Sequence, residues 1–287
     1  MRMTREIVFD TAPDLKRIFA RAVLRRGRGA EAVPDVRAMR HGIRIDVDHL
    51  VDYARVCGFT VGSSLPLTYP HLQVFPLQLA VMGDPRFPIA LMGAIHIENV
   101  IHATRPIGVD EVLEAAVWAE NLRPHRRGRQ VDIVAEVSSG DEVVWREVST
   151  YLARGVEHPD APRSEPPALD ELASVTAGPT WRLPEGTGRR YAPISGDWNP
   201  IHVHALVARP LGFPTAIAHG MYTYARVLAS LGSKLPGHDL TSHVWFGKAV
   251  RLPSTVRVRS VIAEHRTLSV VEHARGDIWH AVIENTW

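Results

Sequence analysis

The chain has 287 residues, enough for two domains of ordinary size or one large one, and enough to bury a core without disulfide staples. Hydrophobic residues make up 45% and charged residues 22%, which excludes wholesale disorder, a collagen-like repeat and a membrane bundle. Lys and Arg outnumber Asp and Glu by only 33 to 31, too even a balance for gripping a nucleic-acid backbone. The lone cysteine, Cys57, cannot close an internal disulfide, and residues 1–25 lack the apolar run of a secretory signal. No stretch approaches the roughly 20 apolar residues that span a bilayer, so the expectation is a cytoplasmic protein without membrane insertion or nucleic-acid partner.

Residues 1–39 form an Arg-rich extension, in which 14–25 (DLKRIFARAVLR) predict a helix packed on the body rather than on a membrane. Beyond it the chain says the same thing twice. Tyr53-Ala54-Arg55-Val56-Cys57-Gly58 is echoed by Tyr191-Ala192-Pro193-Ile194-Ser195-Gly196, an offset of 138. A helical run follows each, 71–83 and 219–232, then His96 and His243, then an Arg-Pro and an Arg-Leu-Pro. Each half closes on a strand meander with a late tryptophan: 112–152 with Trp145, and 255–287 with Trp279. Alternation in 255–261 puts Val256, Val258 and Ser260 on one face of a strand and Arg257, Arg259 and Val261 on the other. The two α+β halves span 40–154 and 180–287. Between them, residues 155–179 carry Pro159, Pro162, Pro166, Pro167 and Pro179 and read as a linker.

The window 191–221 holds the chemistry. Within Ser195-Gly196-Asp197-Trp198-Asn199-Pro200-Ile201-His202, an acid and an imidazole five residues apart can converge on one small polar site. Pro200 keeps Asn199 out of the α region and suits a helix start, so a helix running to about Ala208 is expected, with Asn199 holding the bend. Further on, Ala218-His219-Gly220-Met221 opens a helix whose apolar face is Met221, Tyr224, Ala225, Leu228 and Leu231. The free N–H groups at that terminus stabilise developing negative charge, and Gly220 allows close approach. An acid, an imidazole and such an N–H suit proton transfer beside a carbonyl.

The spelling S-G-D-x-N-P-I-H followed by H-G-M resembles the signature of the MaoC-like (R)-specific enoyl-thioester hydratases, or hydratase 2, which have the hotdog fold. The degenerate-then-intact arrangement is similar to that family's double-hotdog 3-hydroxyacyl-thioester dehydratases. The resemblance implies an α+β double hotdog, two antiparallel sheets each wrapped around a central helix. It implies that Asp197 and His202 are the catalytic pair and that the Gly220 N–H forms the oxyanion hole, supported by Ser195, Gly196, Asn199 and His219. It implies hydration of a trans-2-enoyl thioester, or the reverse dehydration, in fatty-acid metabolism, on coenzyme A or acyl carrier protein, with no metal or other cofactor. The first half departs from the pattern, with Phe59 where the second has Asp197 and no following N-P-x-H. It is expected to bind acyl chain only. A serine that the family places eight residues after the glycine is Leu228 here.

Other readings use the same residues. Asp197, His202, His204 and His219 could in principle hold zinc, although fifteen histidines make such clusters easy to find. A hotdog thioesterase or a non-catalytic thioester binder would keep the fold and change the reaction. Lys248 is a candidate for a coenzyme A phosphate, while the cluster His125, Arg126, Arg127 and Arg129 reads as a solvated turn. His71, His96 and His243 read as structural or surface residues, because none has an acid at useful spacing, and the tryptophans read as core. A chain that carries both hotdogs is expected as a monomer or a homodimer.

Overall fold

In the computed structural model, which describes residues 4–15, 17–19, 30–91, 93–175, 178–209, 212–276 and 278–287, one order of elements occurs twice. First come β1 (Arg5–Phe9), β2 (Val36–Ile43), α1 (Val47–Cys57), α2 (Tyr69–Met82), β3 (Ile95–Ala103), β4 (Leu113–His125), β5 (Gly128–Ser139) and β6 (Glu142–Arg154). Then follow β7 (Thr180–Leu183), α3 (Thr187–Ser195), α4 (Pro200–Val203), α5 (Ala205–Ala208), α6 (Gly220–Leu231), β8 (Leu240–Phe246), β9 (Ser254–Ile262), β10 (Arg266–His273) and β11 (Trp279–Thr286).

The chain divides into two units, Met1–Ile45 with Tyr69–Ser164, and Asp46–Thr68 with Glu165–Trp287. In the first, the strands run β1-β2-β4-β5-β6-β3; in the second, β7-β9-β10-β11-β8. With β1 set aside the two orders are identical, which is the duplication read from the repeated motifs. All these pairings are antiparallel except that of β1, which the N-terminal extension lays parallel to β2. Each sheet carries one long helix, α2 against β2, β4 and β5, and α6 against β11. This is the α+β double hotdog.

Of the helix expected over 14–25, residues 15 and 17–19 are helical, with the Asp14 carboxylate accepting from the Arg17 N–H at 3.3 Å; residues 16 and 20–25 lie outside the described residues.

α2 is hydrophobic all round because it is buried all round, with twelve of its fourteen residues inside. Its buried polar members, His71 and Gln78, meet Glu147 of β6, which also accepts from Asn99 of β3 at 2.6 Å. Burial pushes the Glu147 carboxyl up, but the charge and hydrogen bond of His71 outweigh it and leave the pKa below the usual range. An acid for His71 therefore exists, 76 residues away in sequence, where local spacing does not show it.

In the second unit Tyr224 of α6 donates to Ser242 of β8, which marks the helix-bearing face of the sheet. The opposite face is covered by the segment after the domain boundary: Leu172, fully buried, packs on Trp245, Leu268, Val270 and Val282. Arg266 holds Glu171 at 2.7 Å, and Arg259 donates to the Leu172 carbonyl. The stretch read as a linker thus carries a docked plug. With both faces covered, β10 is buried at every position from Thr267 to Glu272, although Val256 and Val258 of neighbouring β9 keep the expected alternation with Arg257 and Arg259. Among the described residues no helix is long and apolar enough to cross a membrane.

Candidate active site

The site is built from three consecutive pieces of the second unit. α3 ends at Gly196, whose left-handed backbone (φ 73°) caps the helix as its N–H donates to the Ala192 carbonyl at 2.9 Å. Ser195 Oγ donates to the Tyr191 carbonyl and accepts from the Asp197 N–H, so it ties the helix end to Asp197. Asp197 Oδ1 accepts from the Asn199 N–H at 3.0 Å, and the Asn199 side chain accepts from the Ile201 N–H. These nested turns place Pro200 at the start of α4 and His202 two residues later. The helix expected to run on to about Ala208 is in fact two short ones, because His204 adopts extended backbone (φ −147°) and caps α5.

His202 is buried and Asp197 is a quarter exposed, with His202 Nε2 3.7 Å from Asp197 Oδ2. The other ring nitrogen is spoken for: Nδ1–H donates to the Ile217 carbonyl at 2.9 Å. That bond selects the tautomer and leaves the Nε2 lone pair towards the acid. Burial lowers the His202 pKa below its usual value, against the opposing pull of Asp197 and of the Ile217 bond, so the ring is neutral at neutral pH.

His219, expected as a supporting residue, lies inside the same cluster. Its ring stacks on that of His202 with centroids 3.8 Å apart, and its Nε2–H donates to the Asp197 carbonyl at 3.0 Å. Burial, then the neighbouring His202, push its pKa down to about 3, which keeps it neutral. Gly220 follows at once as the first residue of α6, where an N–H has no intrahelical acceptor. A Cβ there would sit 2.9 Å from the Phe246 ring, so only glycine fits without displacing it.

Asp197, His202 and His219 also bring ligand atoms within 4.8 Å of one another, a grouping that could hold a metal ion. His219 would have to give up its proton and its bond to Asp197, since the nitrogen facing the acid is the one that donates. His204 takes no part: its ring accepts from the Leu206 N–H on the surface. Lys248 is exposed just beyond β8, two residues past Phe246. Trp198, read as core, is instead 46% exposed beside Asp197, whereas Trp145 and Trp245 are buried.

Sequence reasoning did not single out Gly188. A Cβ on this residue of α3 would lie 2.0 Å from the His202 carbonyl oxygen, so its bareness is what lets α3 lie against α4. A glycine inside a helix, costing about 1 kcal/mol relative to alanine, was the available signal.

Residues 164–278 match the family described as MaoC like domain. The 3-hydroxyacyl-thioester dehydratase X of Mycobacterium tuberculosis is 42% identical over 215 residues, covering 74% of this chain and 75% of that protein. The chain belongs to the MaoC-like dehydratase family. Within it, an (R)-specific enoyl-CoA hydratase of Rhodospirillum rubrum is 30% identical over 79 residues, 28% of this chain and 53% of that enzyme. The crystal structure of HtdX from Mycobacterium tuberculosis matches with a TM-score of 0.76 at 34% identity, over 87% of this chain and 98% of that one. A 12:0-ACP thioesterase of Umbellularia californica, with a TM-score of 0.53 and 11% identity over 88% of this chain and 96% of its own, shares the fold alone.

Proposed function

We propose that this MaoC-like protein is a hydro-lyase that adds water to trans-2-enoyl thioesters, giving (R)-3-hydroxyacyl thioesters, and catalyses the reverse dehydration in fatty-acid metabolism. The observation that carries the reading is the Asp197–His202 pair, 3.7 Å apart, beside the helix that opens at Gly220. That gap is too long for a direct hydrogen bond and suits one water about 2.8 Å from each group.

The water attacks C3 of the enoyl thioester as His202 Nε2 accepts its proton. Negative charge moves onto the thioester oxygen and meets the Gly220 N–H, a contact worth about 2.7–4 kcal/mol in comparable oxyanion holes. The imidazolium, formed beside the Asp197 carboxylate, then gives a proton to C2, so that H and OH have been added across the double bond. Asp197 orients the water and stabilises the charged ring, His219 and Asn199 hold Asp197, and Ser195 and Gly196 shape the turn beneath it. No metal or other cofactor enters this sequence.

The first unit, which lacks the acid and the imidazole, is proposed to hold the acyl chain. Coenzyme A and acyl carrier protein both present the thioester on the same arm, and exposed Lys248, two residues past the Phe246 that packs on Gly220, is proposed to meet a carrier phosphate. The protein is proposed to act in the cytoplasm as a monomer or homodimer. Its one thiol, Cys57, is inert there, since burial pushes its pKa up to about 12.

The test is a steady-state assay over trans-2-enoyl-CoA substrates of increasing length, with chiral analysis of the product. Formation of the (R)-3-hydroxyacyl thioester is expected. Release of free thiol without hydration would replace the proposal with the thioesterase reading.

A further inference from the structure

α1 and α3 are the two copies of the repeated motif, and both lie in the second unit, packed on one another. Each ends on a left-handed glycine whose N–H returns to an alanine carbonyl: Gly58 to Ala54 at 2.7 Å, Gly196 to Ala192 at 2.9 Å. Past the glycine they diverge. The catalytic copy continues with Asp197, the other with Phe59, whose ring stacks on Tyr53 at 5.9 Å. The degenerate copy has no reacting group, yet its helix is well built, with Asp46 capping the N–H groups of Asp48 and His49 and a buried face of Leu50, Tyr53, Ala54 and Cys57.

From that helix His49 reaches the catalytic copy, its Nε2–H donating to the Ile194 carbonyl at 2.8 Å. The carbonyls of a helix's last turn have no intrahelical partner. In α3 the Tyr191 carbonyl is taken by Ser195 Oγ, that of Ala192 by Gly196 and that of Ile194 by His49, and Ile194 stands three residues before Asp197. At the equivalent of His49 the catalytic copy has Thr187, which bonds locally to the Pro184 carbonyl. The hydrogen bond from His49 is thus not mirrored by the side-chain bond of Thr187, which stays within its own copy.

We propose that His49 is a positioning residue for the hydration reaction: by holding the Ile194 carbonyl it fixes the turn that aims Asp197 at His202. This rests on the function proposed above. A displaced acid misplaces the water rather than weakening thioester binding, and misplacement by about 1 Å can cost up to 10²-fold in rate. His49→Ala should lower kcat about tenfold with KM within about twofold of wild type. His49→Leu, which keeps bulk and loses the donor, should be equally slow, and His49→Gln, whose amide N–H can serve the same carbonyl, should recover most of the rate. All are assayed for enoyl-CoA hydration well below each variant's Tm. Full kcat in His49→Leu, a His49→Gln as slow as His49→Leu, or a rise in KM matching the fall in kcat would overturn the inference. Absence of hydration by the wild-type protein would instead refute the functional reading itself.

Discussion

At the scale of the residue, the site depends on one hydrogen bond that selects a tautomer. With its Nδ1–H given to the Ile217 carbonyl, His202 can present only Nε2 to the acid, and burial keeps that nitrogen unprotonated. The acidic limb of kcat/KM should accordingly lie below the usual histidine pKa of about 6.5, with activity lost as His202 takes up a proton; a limb at or above that value would contradict the assignment. The same shifts govern stability. His202 and His219 are neutral when folded but accept protons near pH 6.5 when unfolded, so acid favours the unfolded chain. Their contribution is complete above about pH 6.5 and declines as pH falls towards the folded value, about 3 for His219. Thermal unfolding between about pH 7 and 5 should show Tm falling, and falling less steeply in His219→Gln.

At the scale of the element, one glycine, Gly188, decides how closely α3 approaches the His202 backbone. Gly188→Ala must push the His202 backbone away from α3, because the new methyl meets a carbonyl oxygen rather than a yielding side chain. Its kcat should fall by up to about 10²-fold, and a rate within twofold of wild type would show that α4 can shift without cost to catalysis. Elements were legible wherever the signal was local. Residues 195–202 spell their own turns, the apolar stripe of α6 gives its span, and the alternation of β9 gives its faces. What depended on distant contacts was not legible. Gly188 matters because of His202, fourteen positions on, and His71 because of Glu147 on another strand. The helix expected beyond His202 broke at His204 because that imidazole satisfies the Leu206 N–H better as a cap than within a continuous helix.

At the scale of the whole molecule, the repeat in the sequence and the units in the fold do not share a boundary. Reading the motifs in order assigns residues 46–68 to the first half, whereas their contacts group them with the second unit, where α1 packs on α3 and α6. A fragment of residues 165–287 contains Asp197, His202 and Gly220 but lacks α1, which would expose the Tyr191 face of α3. Such a fragment should be poorly soluble or inactive, and wild-type kcat in the fragment would show that α1 is dispensable. The duplication itself was legible because both copies keep the Tyr-Ala and Gly that cap a helix, while the packing of one copy on the other leaves no local trace. The most direct measurement is the rate of trans-2-enoyl-CoA hydration by Asp197→Asn and His202→Ala, with Tm recorded alongside. Each variant should lose about 10²–10⁴-fold in kcat with Tm nearly unchanged, whereas near-wild-type turnover by either variant would contradict a catalytic pair at this turn.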